Sequence, residues 1–370
     1  MSNPATRATP VVRPATGLIP SRVPGSSGGG FFRSRVVQIV GLGLVLILGL
    51  ALPYLGTNSF TLSLSSTILI AAILASSVNF LVGEGGMASL GHGAIAGAAA
   101  YGAGFASKQG WDVGMQVLLA LGITLVVSFV YGILSMRTSG IYFLMVTLAV
   151  GMLIFGLASK YSTVTNGDTG IANIARPEFL GEYWQYYYFV FGMFVIATAI
   201  LWVVTRSPFG ASLRGIRDSE SRMRSLGYSV SWYKVGAFMI SGFIAGLAGL
   251  LAVWHTHFVS PTSAGVERSI FAIVMVILGG VGTLLGPLIG AAIVVLIENV
   301  LSSYVDRWQL VLGLVFILVI LFLRAGVAGS IAKLVRRIRG RTTRPPGGSA
   351  PPPGAEPAPI RNHTARKETA

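Results

Sequence analysis

Three ionisable residues lie close to the apolar parts of this chain: Glu84, His92 and Glu298. Each falls near the end of an apolar run, where water or headgroups are within reach. None stands at mid-run, so the buried carboxylate that a proton- or sodium-driven carrier uses to couple its ion has no candidate. His92 reads as a packing or hydrogen-bonding residue rather than a proton relay. The four histidines are scattered and have no paired carboxylates, so no metal-ligand set forms. There is no cysteine, which excludes disulfides, thiolate sites and Cys nucleophiles. No G-x-x-x-x-G-K-[ST] loop occurs, so ATP is not bound by that route, and no cofactor is implied. What remains is a polar segment, 205–232, in which Leu213, Ile216, Met223 and Leu226 fall at helical spacing among Arg214, Arg217, Asp218 and Glu220. Pro208 and Gly210 punctuate its entry, and Gly227 is placed as a C-terminal stop. Such an amphipathic helix either lies on anionic lipid or seats its apolar face in a groove of a soluble partner. Asp218 and Glu220 weigh against a pure lipid anchor.

The elements that must hold these residues are apolar. Of 370 residues, 53% are hydrophobic and 11% are charged, against about 25% charged in an ordinary soluble domain. The fold class this implies is all-α and polytopic, with about ten membrane-crossing helices (eight to ten), some broken or short. The expected spans are 36–55, 61–82, 87–107, 114–136, 139–159, 186–204, 234–255, 268–281, 284–301 and 308–323. The pair 268–281 and 284–301 reads as two crossings with a tight turn or as one long broken helix. Residues 1–35 form a basic tail rich in Pro, Gly and Ser, and 326–370 a basic, Pro-rich one. Neither 1–35 nor 341–370 buries enough apolar surface to offset its chain entropy, so both stretches are expected to be disordered. Between them, 36–325 makes one membrane domain. The first run is expected to be kept as a helix, because no small-residue cleavage site follows it.

The net charge of +15 invites a nucleic-acid partner, but the cations sit in segments between apolar runs, where a membrane selects for them. With both termini inside and ten crossings, 22 of the 27 basic residues fall on the inner side. Lys108, Lys160, Arg176, Arg268 and Arg307 remain outside. Arg137 and the 205–234 loop are the short-loop part of this bias, which counts most. Glycines recur in steps of four at Gly93/Gly97, Gly242/Gly246 and Gly282/Gly286/Gly290, a spacing that lets helix backbones approach closely.

Five blocks, in order, resemble ABC importer permeases of the branched-chain amino acid (LivM/LivH) family over residues 75–325. They are Ser89-Leu90-Gly91-His92 (with Met87 where Gln is often found); Arg137-Thr138-Ser139-Gly140-Ile141-Tyr142-Phe143-Leu144-Met145-Val146-Thr147-Leu148; Thr165-Asn166-Gly167-Asp168-Thr169-Gly170-Ile171 (with Asn166 replacing a Gly); Ser207-Pro208-Phe209-Gly210 through Leu226-Gly227; and Leu278-Gly279-Gly280-Val281-Gly282-Thr283 with Gly286-Pro287.

The resemblance implies a permease subunit, not an enzyme, in the bacterial cytoplasmic membrane. It implies as partners a second, homologous permease, two cytoplasmic ATPases and an extracytoplasmic substrate-binding protein. It makes 205–232 the ATPase-coupling loop, with Leu213, Ile216 and Leu226 as anchors and Arg214, Arg217, Asp218 and Glu220 orienting the helix. Gly227 would turn the chain back. Asp168, Glu178 and Glu182 become the binding-protein docking surface, and Ser76, Ser77, Asn79, Ser89, His92 and Thr147 a weakly polar translocation path. Branched-chain amino acids are the expected cargo. Urea, a short amide or another small polar solute is the alternative, and a secondary carrier ranks below these.

Overall fold

The computed structural model describes residues 58–304 and 307–322, with a few scattered positions on either side. Both expected tails lie almost wholly outside the described residues, as does most of the 36–55 span.

The described chain is helical. Helix α1 (Ser59–Gly85) is followed by α2 (His92–Lys108), α3 (Val113–Ser135) and α4 (Ile141–Lys160). Then come α5 (Tyr183–Arg206), the short α6 (Pro208–Asp218) and α7 (Glu220–Ser225), and α8 (Val230–Thr256). Helices α9 (Val266–Gly279), α10 (Gly286–Leu296, prolonged by a π turn at Ile297–Leu301) and α11 (Trp308–Phe322) complete it. Among the described residues, α1, α3, α4, α5 and α8 are individually long and apolar enough to cross a ~30 Å hydrocarbon layer. Helices α10 and α11 are shorter apolar ones, and α2 and α9 have 17 and 14 residues. The sole strands described are β1 (Ile171–Ala172) and β2 (Phe258–Val259), an antiparallel pair with Ile171 opposite Val259.

Helix starts follow local chemistry. The Asp112 carboxylate accepts the Gly114 N–H at 3.0 Å before α3, and the Glu182 N–H donates to the Gln185 side chain at 3.3 Å before α5. Ser207 caps α6, whose first residue is Pro208, a position where the missing N–H costs nothing.

Helix α8 is the axis. It packs on α1, α2 and α3 and is buried along most of its length, as is α1, whereas α3, α4 and α5 present most of their surface outward. Of the expected glycine steps, Gly242/Gly246 serves this contact. Side chains on Gly242 and Gly246 would run into Ser128 and Thr124 of α3, and one on Gly249 into the Ala96 carbonyl of α2. Gly93 and Gly97 abut Ser269 and Ala264.

Helices α9 and α10 fold back on each other through a tight turn, so the pair is not one long broken helix. A side chain on Gly290 would strike the Met275 carbonyl, and one on Gly279 the Gly286 carbonyl. Gly286 and Gly290 thus line the α9–α10 contact. Gly282 does not continue that strip. It lies in the turn with φ 75° and abuts Gly83 of α1.

The expected helix over 87–107 starts five residues late. Residues 86–91 are irregular, with Met87, Ser89 and Gly91 buried. His92, opening α2, bonds Ser241, about 16 Å along α8 from Val230 at 1.5 Å per residue. His92 is therefore fully buried at mid-depth, not near water as its place in the apolar run implied. Irregular backbone at this depth persists only when covered by protein. Here the Leu90 N–H donates to Thr147 Oγ1 (3.2 Å) and the Gly91 N–H to Ser89 Oγ (3.2 Å).

Candidate functional site: an arm clamped to one end of the bundle

The end of α1, the start of α4, the α6–α7 arm and the start of α8 meet at one end of the molecule. The single helix expected over 212–227 is two. The chain is extended at Ser219 (φ −166°), whose hydroxyl accepts the Arg222 N–H at 3.4 Å and so starts α7. Leu213 and Ile216, read as anchors for a partner's groove, are instead buried inside this chain, where α6 packs on α1, α5 and α8. An amphipathic pattern states that a face will be covered, not by which chain. Leu226 is 67% exposed.

The charged residues fasten the arm. Arg214 forms an ion pair with Glu84 and donates to the Thr205 carbonyl at 2.8 Å. Arg217 donates to the Gly83 carbonyl, at the negative end of the α1 dipole, and approaches Asp218 at 3.3 Å. Glu220 pairs with Lys234 at 2.5 Å and Arg224 at 3.5 Å, and Lys234 also donates to the Thr138 carbonyl at 3.3 Å. Gly227 has φ 85°, the left-handed turn expected of it, and its N–H closes onto the Arg224 carbonyl at 3.0 Å. The Thr138 contact also brings the turn carrying Arg137 to the same end as the 205–234 cations. Between these parts lies a cleft of about 230 Å³ lined by Met87, Ser139, Phe143, Arg217, Glu220 and Lys234, among others.

Deeper in, the polar residues are turned on one another. The Ser241 hydroxyl donates to the Ser77 carbonyl (2.7 Å), so His92 Nε2, 2.7 Å from the same oxygen, must carry the proton and donate. Its Nδ1 is then a bare acceptor without a partner. His92 stacks on Phe238, which also stacks on Tyr131. Ser89 and Thr147 are fully buried, Ser76 is buried on α1, and the Asn79 side chain is bonded to the α9–α10 turn.

Helix α4 runs about 30 Å from this end to the opposite one. There Asp168 and Glu178 each sit in a 3-10 turn and Glu182 precedes α5; all three are exposed. Backbone organises this end. Beside the β1–β2 pair, the Ile174 N–H donates to the His257 carbonyl (3.2 Å) and the Ala175 N–H to Ser107 Oγ (3.0 Å). Arg176 donates to the Gly181 carbonyl (2.5 Å) and lies over the Tyr186 ring.

Against known proteins, residues 60–321 match the family described as branched-chain amino acid transport system / permease component. The chain belongs to this family. It is 27% identical over 323 residues to the high-affinity branched-chain amino acid transport system permease protein LivM of Salmonella typhimurium (strain LT2), covering 80% of this chain and 76% of that one. It is also similar to the autoinducer 2 import system permease protein LsrC of Salmonella typhi, at 25% over 229 residues, 58% of this chain and 64% of that one. Among solved structures, a metal-chelate-type ABC transporter in an inward-facing conformation aligns at 18% identity and a TM-score of 0.45, covering 78% of this chain and 99% of that chain. By its family match and its long apolar helices, the chain is a multi-pass membrane permease subunit of an ABC transporter.

Two residues of this permease escape a reading of the sequence: Lys234 at the clamped end and Ser241 beneath it. Lys234 was counted only as a loop cation, and its place at the start of an apolar run was the available signal. Ser241 carried none beyond being a lone hydroxyl inside a span.

Proposed function

We propose that this permease is the membrane subunit of an ATP-driven importer of branched-chain amino acids, receiving its cargo from an extracytoplasmic binding protein. It would work beside a second, homologous permease and two cytoplasmic ATPases, in the bacterial cytoplasmic membrane with both termini cytoplasmic. The observation that carries the coupling role is the α6–α7 arm. Its inner side is fastened to α1 and α8, and its outer side leaves Arg222, Arg224 and Leu226 exposed. In this reading the ATPase takes the exposed edge of α7, while Leu213, Ile216, Arg214 and Arg217 transmit its movement inward. Asp168, Glu178 and Glu182 face the binding protein. Ser76, Ser77, Ser89, His92 and Thr147 would line the path only in a state where α1, α2, α4 and α8 part, because here all five are buried.

The similarity to LivM supports the cargo, and that to LsrC keeps a small non-amino-acid solute as the second reading. The test is ATP-dependent uptake by cells carrying the complete transporter. Leucine, isoleucine and valine uptake should vanish when this chain is deleted and return with it; uptake indifferent to the chain would overturn the assignment. Cysteines placed at 168 and 220 should react with an impermeant reagent from opposite sides of the membrane. Reaction of both from outside would overturn the orientation.

A further inference from the structure

We infer that Glu84 and Asn79 are positioning residues that make the last two turns of α1 a joint, tying the α6 arm to the turn between α9 and α10. The inference rests on the importer reading and adds the route by which the arm moves the membrane helices.

The stretch Asn79 to Gly86 is gripped from two sides. On the arm side, Arg214 holds the Glu84 carboxylate and Arg217 holds the Gly83 carbonyl. Gly86, left-handed at φ 67°, ends α1 and leaves room for Arg217, whose Cγ would lie 2.5 Å from a Cβ there. On the other side, the Asn79 amide makes a two-point contact with the hairpin turn. Its Nδ2 donates to the Thr283 carbonyl at 2.9 Å, and its Oδ1 accepts the Gly282 N–H at 2.8 Å.

Asn79 and Gly83 are one helical turn apart on the same stripe of α1. A Cβ on Gly83 would stand 2.8 Å from the Gly282 Cα, so the two backbones touch. Most of these contacts end on backbone atoms, which leaves little side-chain slack to absorb a displacement. Helix α1 packs extensively on α9 and α10 and also carries α6. A shift of the arm therefore moves the α1 end and the hairpin turn together. This also explains the Gly83-Glu84-Gly85-Gly86 run: one acid to receive the arm, set among residues small enough for two backbones and an arginine stem to approach.

Two measurements on the assembled complex test the joint. The first is independent of transport: amide hydrogen exchange in Glu84→Ala should rise severalfold at 280–285, although residue 84 makes no side-chain bond to that turn. Exchange at 165–175 should stay unchanged. No change at 280–285 would overturn the inference even if the importer reading is correct.

The second measures uptake and ATP hydrolysis together in proteoliposomes, with subunit pull-down as the assembly control. Asn79→Leu and Glu84→Arg should each lower uptake per ATP about tenfold, a usual size for coupling between sites, with the half-saturating cargo concentration unchanged. The exchange Glu84→Arg with Arg214→Glu should recover most of the ratio. Should Asn79→Leu fail to assemble, Asn79→Asp, which keeps the acceptor and loses the donor, replaces it. A changed half-saturating concentration or cargo preference at an unchanged ratio would make Asn79 a path residue and overturn the joint. Absence of ATP-driven uptake by the unaltered complex would instead sink the importer reading and leave the exchange result to judge the joint.

Discussion

The two ends of this permease are held together by different kinds of bond. At the arm end, α6, α7 and α8 are joined to α1 and α4 by side chains: Arg214 to Glu84, Arg217 to the Gly83 carbonyl, and Lys234 to Glu220 and the Thr138 carbonyl. At the other end, main-chain pairing joins 171–172 to 258–259, and left-handed residues (Asn166, Gly167, Gly170, Asn173 and His257) set the turns. Side chains anchored on a neighbour's carbonyl or carboxylate let one helix pull another without either refolding, while a paired backbone in left-handed turns fixes its partners in one conformation. An end that must transmit movement is better built the first way, and a docking platform the second.

The largest effect should come from attacking the backbone-held end. Gly170 has φ 71° and ψ −176°, a region reserved for glycine, and a Cβ there would meet the Val259 carbonyl. Gly170→Val should cost about 3 kcal/mol or more and release the β1–β2 pair, seen as a lowered unfolding temperature and faster exchange at Ile171. A variant as stable as the parent would break the comparison.

At the arm end the expected effects are smaller and asymmetric. The Lys234 side chain is 3% exposed and Glu220 is 33% exposed. Glu220→Gln strands a buried ammonium and should cost about 2–4 kcal/mol. Lys234→Met leaves an acid that water and Arg224 still satisfy, and should cost about 1 kcal/mol. Thermal unfolding of both variants gives the order, and equal losses would mean that Lys234 is solvated after all.

The smallest stability change belongs to the acids of the backbone-held end. Neutralising Asp168, Glu178 and Glu182 together should alter stability by about 0.5 kcal/mol or less, because all are exposed. Binding-protein affinity should fall and lose part of its salt dependence. An unchanged affinity would remove docking from this surface.

Much of this was legible beforehand because apolar runs and glycine steps are local signals. Among the described residues every expected span from 61 onward has its helix, and Gly242 and Gly246 face a neighbouring helix as their spacing implied. The losses share one cause, since burial depends on distant segments. Residues 87–91 are as apolar as a helix, but their backbone groups find Thr147 and Ser89 instead of a fourth neighbour along the chain. Leu213 and Ile216 have the pattern of a covered face, and nothing local says that the cover is their own bundle. Consequently Ile216→Asp, which would only uncouple an anchor set in a partner, should unfold this chain.

The mid-depth start of α2 also bears on biosynthesis. This helix has 17 residues, and of the strongly inserting types it holds Ile95 and Phe105, with neither Leu nor Val. On translocon scales such residues supply only about −0.3 to −0.6 kcal/mol each, too little to partition a segment that opens on His92 and closes on Lys108. Helix α2 must therefore leave the translocon with a neighbour already committed to lipid, α1 before it or α3 after it. Its glycines and alanines, which let α3, α8 and α9 pack so closely, are tolerable only because insertion is cooperative among nascent segments.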